Sequence, residues 1–155
     1  MSTPYERIYE NVLSKFKSYE IPLMTEDEVK EYLHDFFIPA IARFHVCRKN
    51  LNDRDDILEC FNSDLSDIEI EIFSNYVLLE YIDSTYVRTP LLLKVNLSSS
   101  EFNSYSPANM LSKLTEMQKR YLSENETLLS RYAWMGAKET GILSNISAGY
   151  KKSDN

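Results

Sequence analysis

Four residues have side chains that could hold a transition metal: His34, His45, Cys47 and Cys60. Zinc sites draw on such ligands, but in a few recurrent spacings, and the His-x-Cys pair at 45 and 47 matches none of the common ones. The spacing predicts His34 and His45 on one helix, eleven residues apart and on one face, with Cys47 pointing elsewhere. Histidines and a cysteine among apolar helix positions read as packing residues, and no metal is expected. No cofactor is expected either. Loops that cradle phosphates, and nucleophile elbows of the G-x-S-x-G type, need glycine where backbone must turn or approach a ligand. The three glycines are Gly136, Gly141 and Gly149, so residues 1 to 135 contain none and exclude both devices. The acidic pairs Glu69/Glu71 and Asp55/Asp56 could support acid–base catalysis. On a chain with 24 acidic and 17 basic residues they read instead as solvated faces and helix N-terminal charge. The chain is read as not an enzyme.

Composition narrows the remaining classes. A net charge of −7 repels phosphate backbones, which argues against a groove that grips nucleic acid. Eleven tyrosines, seven phenylalanines and one tryptophan could stack bases, but single-strand binders set such rings among Lys and Arg. Here they lie among carboxylates, as in Tyr9-Glu10, Tyr19-Glu20 and Glu80-Tyr81, which suits core and protein interface. No signal peptide and no long uncharged apolar run are present, so a soluble intracellular protein with reduced thiols is expected.

The elements that must carry these residues are mainly helical. Thr3-Pro4-Tyr5-Glu6 has the spacing of a capping box with a first-turn proline, followed by Ile8, Val12 and Phe16 on one face and Leu13 beside them. Pro22 marks a break. Thr25-Glu26-Asp27-Glu28 repeats the box ahead of Val29, Leu33, Phe36, Phe37, Ala40, Ile41 and Phe44. Pro39 removes a donor and crowds the carbonyl of Asp35, predicting a kink or a division into two helices. Residues 48–56 read as an exposed polar loop and the following ILECF as a strand or an irregular core segment.

Ile68-Glu69-Ile70-Glu71-Ile72 alternates like a half-buried strand, but a third capping box at Ser66–Glu69 opens a longer helical pattern. Leu65, Ile68, Ile72, Tyr76, Leu79, Ile82 and Tyr86 form one row, and Ile70, Phe73, Val77 and Tyr81 a second. A central helix over about residues 66–86, apolar on more than one side, follows. Residues 87–105 read as a long connection in which Leu91, Leu93, Val95 and Leu97 alternate as in a strand. A last helix opens at Ser106-Pro107 and carries Leu111, Leu114, Met117, Tyr121, Leu128 and Tyr132 to about residue 133, with Asn125 interrupting the stripe. The expected architecture is a mainly α bundle of about four helices with at most a minor β element. Residues 1–133 form its body and 134–155 an extended C-terminal arm.

The stretch DLSDIEIEIFSNYVLLEYI from Asp64, then SEFNSYSPANML from Ser100, resembles the central helix and the lead-in to a final helix in small structural proteins of tailed bacteriophages. A body of about four helices with a C-terminal extension is similar to their head-to-tail connector adaptors. The resemblance implies a virion neck protein, assembled in the host cytoplasm. It would form a homo-oligomeric ring, usually dodecameric in that family, beneath the portal protein and above a stopper or tail-side protein. DNA would pass without specific binding, and no membrane is involved. In such adaptors the C-terminal segment docks into the portal. By position, this role falls on Trp134, Met135, Ile142 and Leu143, with Ile146 and Tyr150 as further anchors and Lys151 and Lys152 facing an acidic partner. The alternatives are another neck or tail-completion protein, or a small acidic regulatory or inhibitory protein-binding module.

Overall fold

A computed structural model describes residues 2–15, 25–88 and 107–139. The fold is mainly α with a small three-stranded sheet. Its centre is helix α4, Asp67–Ile82, with α1 (Glu6–Lys15), α3 (Phe37–Arg43) and α5 (Pro107–Glu139) packed against it. Helix α2 (Glu26–His34) precedes α3. A π-helical segment, Asp83–Arg88, continues α4.

Enclosure by three helices explains why α4 is apolar on all sides: Ile72, Phe73, Val77, Leu78 and Ile82 are fully buried. The alternating IEIEI run is helical. Its start is secured by the Glu69 carboxylate, which accepts from the Ser66 N–H at 2.8 Å. The box at Thr25 forms as well, with Glu28 accepting from the Thr25 N–H at 2.7 Å.

Pro39 divides α2 from α3. The chain turns at Asp35 and Phe36, which places Pro39 third in α3. There its missing N–H falls among first-turn donors that have no acceptor within a helix.

The expected cap at Thr3 is corrected. Thr3–Pro4 is strand β1, antiparallel to β3 (Cys60–Phe61), which also pairs with β2 (Arg54–Asp55) in the order β1-β3-β2. The register sets Thr3 opposite Phe61 and Arg54 opposite Phe61 on the other side. Buried Thr3 spends its hydroxyl on the chain leading to α4, donating to the Ser63 carbonyl at 3.0 Å and accepting from the Leu65 N–H at 2.8 Å. A proline on an edge strand costs no ladder bond, so the same Thr-Pro pair serves a strand as readily as a helix start.

A second correction concerns the C-terminal boundary. Helix α5 continues past residue 133 to Glu139, so Trp134 and Met135 lie on a helix and not at the root of an arm. Ala133, Met135, Ala137 and Lys138 favour helix, and one glycine at 136 costs only about 1 kcal/mol. The remaining expected arm residues, Ile142, Leu143, Ile146, Tyr150, Lys151 and Lys152, lie outside the described residues. So do Phe16, Pro22 and the alternating run at 91–97.

Candidate functional site

The hairpin between β2 and β3 presents two aliphatic side chains to solvent. Its loop is Asp56–Glu59, and at its tip Ile57 and Leu58 are 93% and 72% exposed. The Asp55 carboxylate accepts from both tip amides, Ile57 N–H at 2.9 Å and Leu58 N–H at 3.0 Å. Glu59 closes the loop in the left-handed region, with φ 49°. The Tyr5 N–H donates to the Glu59 carbonyl at 2.8 Å, and the Tyr5 hydroxyl to Asp56 at 2.7 Å. That hydroxyl contact holds the Asp56 carboxyl below its usual range. Arg54 reaches Asp56 at 3.3 Å from the same hairpin. Single exposed aliphatics are ordinary, but two neighbours on a loop braced from both sides form a pre-organised contact.

Beside the tip lies a concavity of about 340 Å³ lined by Asp27, Glu31, Asp56 and Glu59 together with Lys30, which pairs with Glu6 and Glu26. At its base His34 packs on Tyr5 and Phe37, with ring centroids 5.4 Å and 5.1 Å away. His34 Nδ1 stands 3.5 Å from the Tyr9 hydroxyl, and Nε2 stands 3.9 Å from Asp56. Burial raises the Tyr9 phenol well above its ordinary pKa. These separations are long for a proton relay. The carboxylate rim suits a cationic side chain better than a reacting bond.

The four candidate ligands do not converge. His34 closes α2 while His45 follows α3, so the break at Asp35–Phe36 corrects the expected shared helix face. Cys60 is buried in β3, and the Cys47 thiol, raised by burial, lies 3.9 Å from Glu69. Among the described residues no three His, Cys, Asp or Glu side chains are placed to hold a metal ion.

Inside the bundle, polar side chains bind helices to one another. The Tyr132 hydroxyl on α5 donates to Glu69 on α4 at 2.6 Å and accepts from the Arg48 N–H at 2.8 Å. The Arg48 guanidinium stacks 4.2 Å over the Tyr132 ring and donates to the Tyr132 carbonyl. Gly136, one turn on, leaves room for that guanidinium, since a Cβ there would collide with it. Asn75 donates to buried Asn125 at 3.2 Å, and Asn125 donates to the Ile72 carbonyl at 3.4 Å. Lys15 on α1 bonds Asn75 and Glu71, both at 2.7 Å. Arg43 pairs with Glu80.

No protein-family model, curated protein or solved structure matches the chain. Of the residues singled out for partner binding, Trp134 and Met135 are 65% and 49% exposed, on the part of α5 that carries Tyr132. Sequence reasoning missed Ile57 and Leu58, which read as core in ILECF. The signal was their position between Asp55-Asp56 and Glu59, a loop-forming frame.

Proposed function

We propose that this chain is a structural, protein-binding subunit of the head-to-tail connector kind, a homo-oligomeric ring that meets a portal protein on one side and a stopper or tail-side protein on the other. The observation that carries a binding role is the aliphatic pair Ile57–Leu58, held out on a hairpin whose backbone is already ordered. Ordering such a loop before binding removes an entropic cost of association. Glu69, Tyr132, Asn75 and Asn125 in the interior point the same way, being spent on bonds between α4 and α5. A net charge of −7 suits a channel that lets DNA pass without holding it. In this reading the segment beyond Glu139, with Ile142, Leu143, Ile146, Tyr150, Lys151 and Lys152, docks on the portal, and Trp134 and Met135 extend that contact along α5.

The test is mass measurement of the purified chain alone and with the portal oligomer encoded in the same genome. A ring-sized complex on the portal is expected, and truncation after Glu139 abolishes it while the body stays folded. A chain that remains monomeric with portal present refutes the connector role.

A further inference from the structure

We infer that the outer face of the last turns of α5 docks a helix of a partner protein, one that carries an apolar side chain between two carboxylates. Such docking rests on the protein-binding role proposed above and requires neither a ring nor a portal.

Three exposed residues define the face: Arg131, Trp134 and Lys138. Steps of three and then four residues set them within about 60° of one another around the helix. Tyr132, which holds α5 to the bundle, lies about 160° from Trp134 on the opposite side. Trp134 is the one tryptophan of the chain, and it is 65% exposed. Thr127 and Ser130 continue the face toward the start of the helix. Their hydroxyls fold back on the backbone, donating to the Ser123 carbonyl at 3.1 Å and the Glu126 carbonyl at 3.0 Å. The indole is thus bordered by hydroxyls that keep their bonds when water leaves.

Charge names the partner. Residues 127–138 hold no carboxylate, on a chain of net charge −7. Arg7, Lys15, Lys30, Arg43, Arg54 and Arg120 each pair with a carboxylate, but neither Arg131 nor Lys138 does so among the described residues. Two such cations flanking an indole match two anions flanking an apolar group. Arg131 and Lys138 stand about 10 Å apart along the axis. Side chains seven residues apart on a second helix have the same separation, and the residue three or four along falls between them. The occupant is therefore a helix with Asp or Glu at both ends of that interval and an aliphatic side chain over Trp134. A nucleic acid fits less well. Two cations release few counterions, and the rest of an acidic chain repels the phosphates that follow.

The experiment joins a designed probe helix to the end of the full chain through a flexible glycine–serine linker, which holds it at about millimolar effective concentration. One probe carries Glu, Leu and Glu at the stated spacing, and the other carries Lys, Leu and Lys. Trp134 reports docking by a blue shift of its emission and by protection from acrylamide. At low salt the acidic probe should dock in preference to the basic one by about tenfold or more, and Arg131→Glu with Lys138→Glu should invert that preference. Both positions are exposed, so the circular dichroism of this variant should match wild type. An indole that no probe shifts, or that both probes shift alike, overturns the inference. So does quenching of Trp134 by a single-stranded oligothymidine at micromolar concentration, which would make the face a base-stacking surface. The probes need no portal. A chain that docks the acidic helix but stays monomeric with portal keeps this surface and loses the connector role, and one that assembles on portal but ignores both probes does the reverse.

Discussion

The hydroxyl of Tyr132 lies 2.6 Å from Glu69, a carboxylate only 3% exposed, and the two side chains tie the last described helix to the central one. The bond also reaches the loop after α3, because the same oxygen accepts the Arg48 N–H. Tyr132→Phe keeps the ring and the Arg48 stack but leaves a buried carboxylate short of one donor and an amide short of its acceptor. The expected loss is about 1–3 kcal/mol, read from urea denaturation. A midpoint equal to wild type would mean that water replaces the hydroxyl and that the tie carries no stability.

Acid should loosen the same region. Burial pushes the Glu69 carboxyl up, but the Tyr132 and Ser66 hydrogen bonds outweigh it and hold the group below its usual pKa. Glu71 behaves alike, burial being outweighed by Lys15 and Asn11. Both folded-state values are depressed, so the unfolded chain takes up protons first as pH falls. The stabilisation is complete above the ordinary carboxylate range, about pH 4.3, and is lost as pH drops through the folded values. Unfolding midpoints measured from neutral pH to about pH 3 should fall less steeply for Glu69→Gln and Glu71→Gln than for wild type. Equal slopes would show that other carboxylates set the acid limit.

The central helix makes a blunter prediction. Leu79 is 6% exposed on α4, among helices that cannot close fully over a gap. Leu79→Ala should cost about 2–5 kcal/mol. Thermal unfolding unchanged from wild type would contradict the placement of Leu79 in the core.

What could be read from the chain follows from how local each signal is. The two-row apolar pattern at 68–82 marked α4 because a helix enclosed on all sides must be apolar all round. The boxes at Thr25 and Ser66 were legible because both partners lie within four residues. Thr3 misled for the converse reason: its partners, Ser63 and Leu65, are sixty residues away, and nothing local separates a capping threonine from a strand one. Trp134 and Met135 looked like the start of an arm because apolar spacing stops there, although backbone propensity carries the helix to Glu139. The exposed tip at Ile57 and Leu58 was hidden by residue type, since composition alone places isoleucine and leucine inside.

Asn125 gives the strongest test of how the polar interior works. In sequence it breaks the apolar stripe of α5, which suggests a weakness. In the fold it is fully buried, accepts from Asn75 and donates to the Ile72 carbonyl, so the break marks the point where α5 must meet α4 in one register. Asn125→Ala should destabilise by about 1–3 kcal/mol, since it removes two bonds and opens a small void. Asn75→Ala should cost a comparable amount, because it also removes the acceptor of the Lys15 ammonium. If the two asparagines act through each other, the double variant loses less than the sum of the singles. The expected coupling is at least about 0.5 kcal/mol in a urea-denaturation cycle. Strict additivity would show that each asparagine is satisfied by other groups and that the 3.2 Å contact between them is incidental.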